Sequence, residues 1–305
     1  IGSSTPSTGA FTNITASGTA GITGNATVGG TLGVTGVTTL VDVNVTGEIN
    51  FDGAPGTAGQ YLQSSGDGVT PVWDTLSLND LSDVLIADSS LYIGHDPTST
   101  DSTAEFNVAV GVTALDAITT GDKNVAIGHD AAGALTTVSN VVVIGYESGK
   151  SMVDQSSELL GTVLIGSFAG AALTSGCCNT AVGYVALEVN TTGEYNTAIG
   201  YGALKTLNTS GSDVPQQNTA IGSHAGENHT FADYGTYVGA SAGNDVTSGN
   251  NNTFIGAESG NATTTGADNV AVGYSALDTN TTSASNTSIG TESLYHSTAA
   301  ENVAV

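Results

Sequence analysis

A short motif that recurs along the chain constrains its fold more than any other feature. The letters "NTAIGYGAL" fill residues 196–204, "NTAVGYVAL" begins at Asn179, and "NVAVGYSAL" begins at Asn269. Aligned on the glycine after the aliphatic residue, the chain holds eleven copies, and eight of the ten intervals between them are identical. The other two intervals are longer by four and by five positions. A fixed period, here of about 17 residues, indicates a repeat architecture in which neighbouring units stack and share one core.

The columns of this alignment predict β structure. Val or Ile precedes the glycine in all eleven copies, Ala or Ser follows it by three residues, and Asn lies four residues before it in eight copies. β-branched residues favour strands, whereas repeated Gly, Thr and Asn make a poor helix. We predict an all-β fold, a parallel β-solenoid (β-roll) with about 17 residues per coil. Each coil would hold two short strands and two turns, and the Asn column would stack as a ladder of amide hydrogen bonds.

Two columns are assigned structural roles. The β-branched residues are predicted to form an inward row: Val110, Ile127, Ile144, Ile165, Val182, Ile199, Ile221, Val238, Ile255, Val272 and Ile289. The small residues are predicted to receive a neighbouring chain: Ala114, Ala131, Ser148, Ala169, Ala186, Ala203, Ala225, Ala242, Ser259, Ala276 and Ser293. A single narrow coil buries little apolar surface against the entropy of ordering it. An oligomer is therefore expected, and a symmetric trimer suits a rod.

The repeat resembles two known groups of proteins. "NVAIG", "NTAVG" and "NTAIG" are similar to the head repeats of trimeric autotransporter adhesins, and "NTAIGYGAL" resembles repeats of phage tail fibres. The resemblance covers residues 107–305 and implies left-handed parallel β-rolls, with three chains around one axis. The period here is longer than the adhesin repeat, which predicts a different cross-section.

Two other segments precede the repeat. Residues 1–50 carry valines and glycines six apart, as in Val28, Val34, Gly24 and Gly30, which predicts a hexad-repeat β-shaft. A flexible Gly/Thr linker is the alternative. Residues 51–106 are predicted to form a small β module and linker around Trp73, with a hairpin joining "GQYLQ" to "TPVWD". Residues 107–305 then hold eleven coils and a truncated twelfth.

Charge excludes several classes of partner. The formal net charge is −25, with three lysines and no arginine. Nucleic acids and anionic membranes attract clustered basic residues, so neither is an expected partner. No apolar run approaches the ~20 residues that span a bilayer. The chain starts at Ile1 and stops within a motif, so we expect it to be a segment of a longer protein.

The sequence carries no catalytic, cofactor or metal motif. "GYESGKS" is one position too short for a phosphate-binding loop. The five histidines are expected on solvated loops, with a metal on a threefold axis as an alternative. Lys150 and Lys205 lie in the two long coils and are candidate surface contacts. Cys177 and Cys178 are expected to be two thiols, with a bond between chains as the alternative.

These observations favour a structural fibre without enzymatic activity. The expected function is that of a phage tail or receptor-binding fibre, extracellular and part of the virion. Its partners would be two further copies of the chain, other tail proteins, and a receptor or glycan on the host surface. A bacterial trimeric autotransporter-type adhesin on the cell surface is the alternative. A fibre that cleaves glycans is a third hypothesis.

Overall fold

The computed structural model describes residues 50–51, 54–58, 60–63, 71–75, 84–87, 89–94, 104–153, 161–207 and 217–305. These residues form an all-β structure and contain no helix. The chain divides into two compact units, Ile1–Asp74 and Thr75–Val305. The predicted shaft lies outside the described residues, except for its last residue.

The first unit contains short paired strands. Strands β1 (Asn50–Phe51) and β2 (Ala54–Pro55) pair antiparallel, and β3 (Gln60–Gln63) pairs with β4 (Val72–Thr75). The predicted strands on either side of "SSGDGV" are thus present. The half-buried Trp73 ring lies against the backbone of Gly56, where a Cβ atom would come within 2.6 Å of it.

The second unit is a parallel β-solenoid. Its sheet has 14 strands in sequence order, and every neighbouring pair after the first is parallel. The strands are β5 (Val84–Ala87), β6 (Ser90–Ile93), β7 (Val108–Val110), β8 (Val125–Ile127), β9 (Val142–Ile144), β10 (Val163–Ile165), β11 (Thr180–Val182), β12 (Thr197–Ile199), β13 (Thr219–Ile221), β14 (Thr236–Val238), β15 (Thr253–Ile255), β16 (Val270–Val272), β17 (Thr287–Ile289) and β18 (Val303–Ala304). The predicted solenoid of about eleven turns, with roughly 17 residues per coil, is confirmed.

Two details of the predicted organisation are wrong. Each coil has one three-residue strand, not two, because the rest of the coil is built of turns. Strands β5 and β6, which the sequence placed in the small module, pair antiparallel and open the long sheet. The two long coils keep the strand register, with Val142 opposite Val163 and Thr197 opposite Thr219. Their added residues fall in segments outside the described residues.

The glycine after each strand is required by both conformation and space. Gly200 has a φ of +137°, which L side chains rarely adopt. A Cβ atom at Gly200 would also lie 2.3 Å from the carbonyl oxygen of Gly222 in the next coil. The column therefore turns the chain and lets successive coils approach closely.

The β-branched row points outward within the chain, so the predicted inward row is wrong. Alternation along a strand places successive side chains on opposite faces, and the central residue of each strand is the buried one. Ala198 has no exposed surface, whereas Ile199 is 38% exposed and Ile221 is 40% exposed. None of the eleven residues of the row is buried: Val110, Ile127, Ile144, Ile165, Val182, Ile199, Ile221, Val238, Ile255, Val272 and Ile289.

The small-residue column is also placed differently from its prediction. Ten of its eleven members are buried inside their own coil, at 0–1% exposure, and Ser293 is half-buried. The column therefore cannot receive a neighbouring chain. Its members are small because the interior of a coil is narrow: Ala114, Ala131, Ser148, Ala169, Ala186, Ala203, Ala225, Ala242, Ser259, Ala276 and Ser293.

Two interior columns compensate each other in volume. One is the strand centre, and the other lies four residues after the glycine. Leucines in the second column occur in coils with a small strand centre, as in Ala109/Leu115, Ala181/Leu187, Ala198/Leu204 and Ala271/Leu277. In four of the five coils with glycine in the second column the strand centre is larger than Ala, and a Cβ atom at Gly260 would lie 2.5 Å from the Phe254 ring. The exception is Ala220/Gly226, where a Cβ atom would lie 2.9 Å from Leu204 of the preceding coil. In most coils a large side chain in one column thus faces a small one in the other, which keeps the interior closely packed.

The asparagine ladder is confirmed, although most of its bonds join side chain to backbone. Asn107 Oδ1 accepts the Asn124 backbone N–H at 2.9 Å, while Asn107 Nδ2 donates to the Gly121 carbonyl oxygen at 2.7 Å. Amide-to-amide bonds also occur, for instance from Asn218 Nδ2 to Asn196 Oδ1 at 3.1 Å. Asn107, Asn124 and Asn218 therefore each bond two backbone groups that would otherwise lack partners.

Candidate functional site

The outward face of the long sheet is uniform and free of charge. Each strand from β7 to β17 presents two outward side chains, and all 22 positions are Thr, Val or Ile. None of these side chains is buried within the chain. In a chain of formal charge −25, an uncharged and partly apolar face of this length is a candidate for contact with another chain.

A row of aromatic rings follows the glycine turn on six consecutive coils. The rings are His129, Tyr146, Phe168, Tyr184, Tyr201 and His224. Neighbouring centroids are 5.3, 5.4, 6.1, 5.6 and 4.8 Å apart along the row. Tyr146, Tyr184 and Tyr201 are about half exposed, at 47%, 49% and 50%. We call this set the aromatic row.

A shallow groove of about 390 Å³ adjoins the aromatic row at Phe168. It is lined by Lys150, Ala171, Ala172, Glu188 and Val189 as well as by Phe168. Lys150 donates to Glu147, and this hydrogen bond is the main cause that lowers the pKa of the Glu147 carboxyl group. The structure therefore places one of the two predicted contact lysines in a groove.

The second predicted contact lysine lies beside the same groove. Lys205 Nζ is 3.8 Å from Glu188 Oε2, so both groove-side cations are paired with carboxylates. Of the two predicted lysines, Lys150 therefore lines the groove and Lys205 is linked to it only through Glu188. The aromatic row itself was not predicted, although Gly-Tyr recurs in the repeat register at Tyr146, Tyr184 and Tyr201.

The two adjacent cysteines are not joined by a disulfide. The Cys178 thiol donates to Cys177 Sγ at 2.9 Å. Burial raises the pKa of the Cys177 thiol to about 12, which keeps it protonated and unreactive at neutral pH. Cys177 is only 4% exposed, so only Cys178 lies where a second chain could reach its sulfur. A bond between chains stays a prediction for Cys178 alone.

One histidine departs from the predicted solvated position. His229 is fully buried, and neither ring nitrogen has a hydrogen-bond partner among the described residues. Its ring lies 5.7 Å from that of Tyr237, whose buried hydroxyl also lacks a described partner. Burial lowers the pKa of His229 to about 3, so the ring is neutral inside the coil.

A second groove, of about 430 Å³, lies near the end of the solenoid. Glu258, Ser275 and Glu292 stack in it on successive coils, and Ser275 Oγ donates to Glu258 Oε2 at 3.1 Å. Within the described part of the chain, no group of three or more His, Cys, Asp or Glu residues is arranged to hold a metal ion.

The comparisons with known proteins give no relative. No protein-family model, no curated protein and no solved structure matches this chain. Among the described residues, no helix is long and apolar enough to cross a membrane.

Proposed function

We propose that this chain is a segment of a trimeric phage tail or receptor-binding fibre that attaches the virion to the surface of its host. The outward β-branched face carries this proposal. It runs without interruption from β7 to β17, has the same chemistry in every coil, and contains no charged side chain. An interface along a rod needs these properties, since each coil must meet its symmetry mates in the same way.

In this proposal the chains meet through the strand face and not through the small-residue column that was predicted to receive a neighbouring chain. The five isoleucines Ile127, Ile199, Ile221, Ile255 and Ile289 remain 38–40% exposed, so they have surface left to bury. Removing such apolar area from water is the main favourable contribution to association. The acidic residues lie off this face and keep the rods soluble and separate from one another.

The oligomer is tested by placing charge on the face. In the segment carrying both Ile199→Glu and Ile255→Glu, like charges from three chains would meet in a desolvated contact. We expect light scattering to give the mass of a trimer for the native segment and of a monomer for this variant. The control, Val112→Glu with Val189→Glu, adds the same charge at exposed apolar positions off the strand face, 55% and 41% exposed. A native segment that is monomeric would contradict the proposal.

The virion assignment is tested by the genes beside the coding sequence. Neighbouring tail and chaperone genes would support the phage fibre. A membrane-anchoring β-barrel encoded downstream in the same frame would support the adhesin alternative instead.

A further inference from the structure

We infer that the aromatic row and its groove bind a neutral polysaccharide, with a sugar ring seated against Phe168. This inference rests on the proposed attachment function and names the class of its receptor. Phe168 lies in the middle of the row and also lines the groove, so it joins the two features.

The fold does not require the rings. In four of the five coils outside the row the position directly after the glycine is Val112, Ala240, Ala257 or Thr291, and these coils keep the same strand register; the fifth has Tyr274. In two coils of the row that position is Ser, and the ring comes from the next residue, Phe168 or His224. The rings therefore remain neighbours although two of them come from a different position of the coil. Because these side chains lie on the surface, packing of the core does not account for this continuity.

The spacing and orientation of the rings suit an extended ligand. Successive rings lie 4.8–6.1 Å apart, so a chain molecule along the row would meet a new ring at each coil. Phe168 stands at 75° to Tyr146 and at 84° to Tyr184. The neighbouring phenols thus offer hydroxyl groups beside a ring of different orientation, which provides both an apolar contact and hydrogen bonds.

The charges beside the groove and on the chain favour neutral ligands over anionic ones among those with an apolar face. A sugar ring has an apolar face of C–H groups and a rim of hydroxyls, and both kinds of contact exist here. Glu188 and Lys150, which line the groove, can accept from and donate to hydroxyls. Because each described groove-side cation is already paired with a carboxylate, and the chain carries −25, sulfated or uronic glycans and nucleic acids are disfavoured.

The groove is of a suitable size for one part of such a chain. Its volume of about 390 Å³ is near the lower end of the range for small-molecule sites. Ala171 and Ala172 contribute short apolar side chains to its lining. The remainder of a polysaccharide would lie along the row on either side.

The test is the mobility of the folded segment in native gels that contain one polysaccharide each. Laminarin, dextran and mannan are the neutral probes, and alginate and heparin are the anionic ones. We expect retardation by at least one neutral probe and by neither anionic probe. The inference would be overturned if no neutral probe retarded the segment, or if an anionic probe retarded it more strongly than the neutral probes do.

Variants locate the binding. Phe168→Ser uses the residue found in the same column at Ser241 and Ser275, and Tyr184→Ala uses that of Ala240 and Ala257, so both should fold. Each is expected to weaken the apparent affinity about tenfold. The control Tyr234→Ala removes a ring that is 54% exposed but lies outside the row, and it should leave the affinity unchanged. Native affinity in Phe168→Ser and Tyr184→Ala would place binding elsewhere.

The same preparations separate this inference from the proposed function. If the segment is trimeric and no neutral probe retards it, only the ligand inference is contradicted. A monomeric segment contradicts the proposed fibre, whether or not it is retarded.

Discussion

At the scale of single residues, the core of the solenoid holds a histidine without a described hydrogen-bond partner. His229 occupies an interior column that is Leu in other coils, at Leu135, Leu173 and Leu207. Burying a polar ring without hydrogen bonds costs free energy even in the neutral form. Protonating it there costs more, which is why its pKa falls.

His229 makes stability depend on pH. Its pKa is lowered from 6.5 to about 3 in the folded chain, so between these values the unfolded chain binds a proton that the folded chain does not. Stability from this residue is therefore present above pH 6.5 and is lost as pH falls towards 3. By linkage the loss from pH 7 to pH 5 is about 2 kcal/mol per chain.

The variant His229→Leu isolates this effect. Carboxylates elsewhere also titrate in acid, but they are common to both proteins, so the difference between native and variant belongs to His229. We expect urea unfolding to give a higher stability for His229→Leu, with a gap that widens from pH 7 to pH 5. A gap that stays constant with pH would show that the histidine is charged or hydrated in the folded chain.

The asparagine ladder can be tested at one residue. In Asn124→Val, the Val141 backbone N–H and the Val138 carbonyl oxygen lose their bonds to Asn124 Oδ1 and Nδ2, which are 3.1 and 2.8 Å long. Leaving buried backbone groups unsatisfied costs about 1–3 kcal/mol each. We expect a drop of at least about 2 kcal/mol in the free energy of unfolding. Asn261→Val, at a half-buried Asn outside this column, is the control, and an equal loss there would refute a special role for the ladder.

At the scale of the coil, the period and its landmarks could be predicted from the sequence because each has a local cause. Each coil repeats the same three features in the same places. These are a glycine at a positive φ, an Asn with buried amide bonds in most coils, and a strand that ends in a β-branched residue. The face of each strand could not be predicted in the same way. Val and Ile are more apolar than Ala, which suggested that Ile199 rather than Ala198 points inward. In the structure Ala198 is the residue that points inward, because the interior already contains Leu204 and leaves room there only for a small side chain.

The candidate site was harder to predict than the coil. Lys150 and Lys205 were found because the long coils break the period, and the groove lies beside them. The aromatic row depends on which residues of successive coils become neighbours, and two of its six rings shift by one position. His229 looks like any loop histidine in the sequence, and only the column it occupies reveals that it is buried.

Volume compensation between the interior columns predicts a coupled pair of substitutions. Ala198→Leu should overfill its coil beside Leu204 and cost about 1–3 kcal/mol. Leu204→Gly should empty the coil and cost about 2 kcal/mol or more, although it relieves a leucine held at a φ of +46°. The double variant re-creates the pairing of Leu164 with Gly170, where a Cβ atom would lie 2.8 Å from the leucine.

We therefore expect the double variant to be more stable than the sum of the two single effects predicts, by at least about 1 kcal/mol. The measurement is a double-mutant cycle by urea unfolding at one protein concentration, because an oligomer's stability depends on concentration. Additive effects would mean that these two columns do not share space. Leu277→Gly combined with Ala198→Leu, in different coils, provides the additive control.

At the scale of the whole molecule, repulsion between negative charges opposes the association that the strand face favours. Each chain carries −25, so three chains would bring 3 × −25, or −75, into one rod. Salt screens such repulsion, with a Debye length of about 10 Å at 0.1 M and about 3 Å at 1 M. The 22 outward strand positions from β7 to β17 hold no charged residue, so salt has no ion pair on that face to weaken.

Association of the proposed trimer should therefore strengthen as salt is added. We expect sedimentation to show a lower dissociation constant at 0.5 M than at 0.05 M sodium chloride, in the direction set by screened repulsion. The variant Lys150→Glu, with its added negative charge off the strand face, should require more salt for the same degree of association. A dissociation constant that rises with salt would mean that ion pairs hold the chains together. The interface would then lie on a charged surface of the coil and not on the row of Val and Ile.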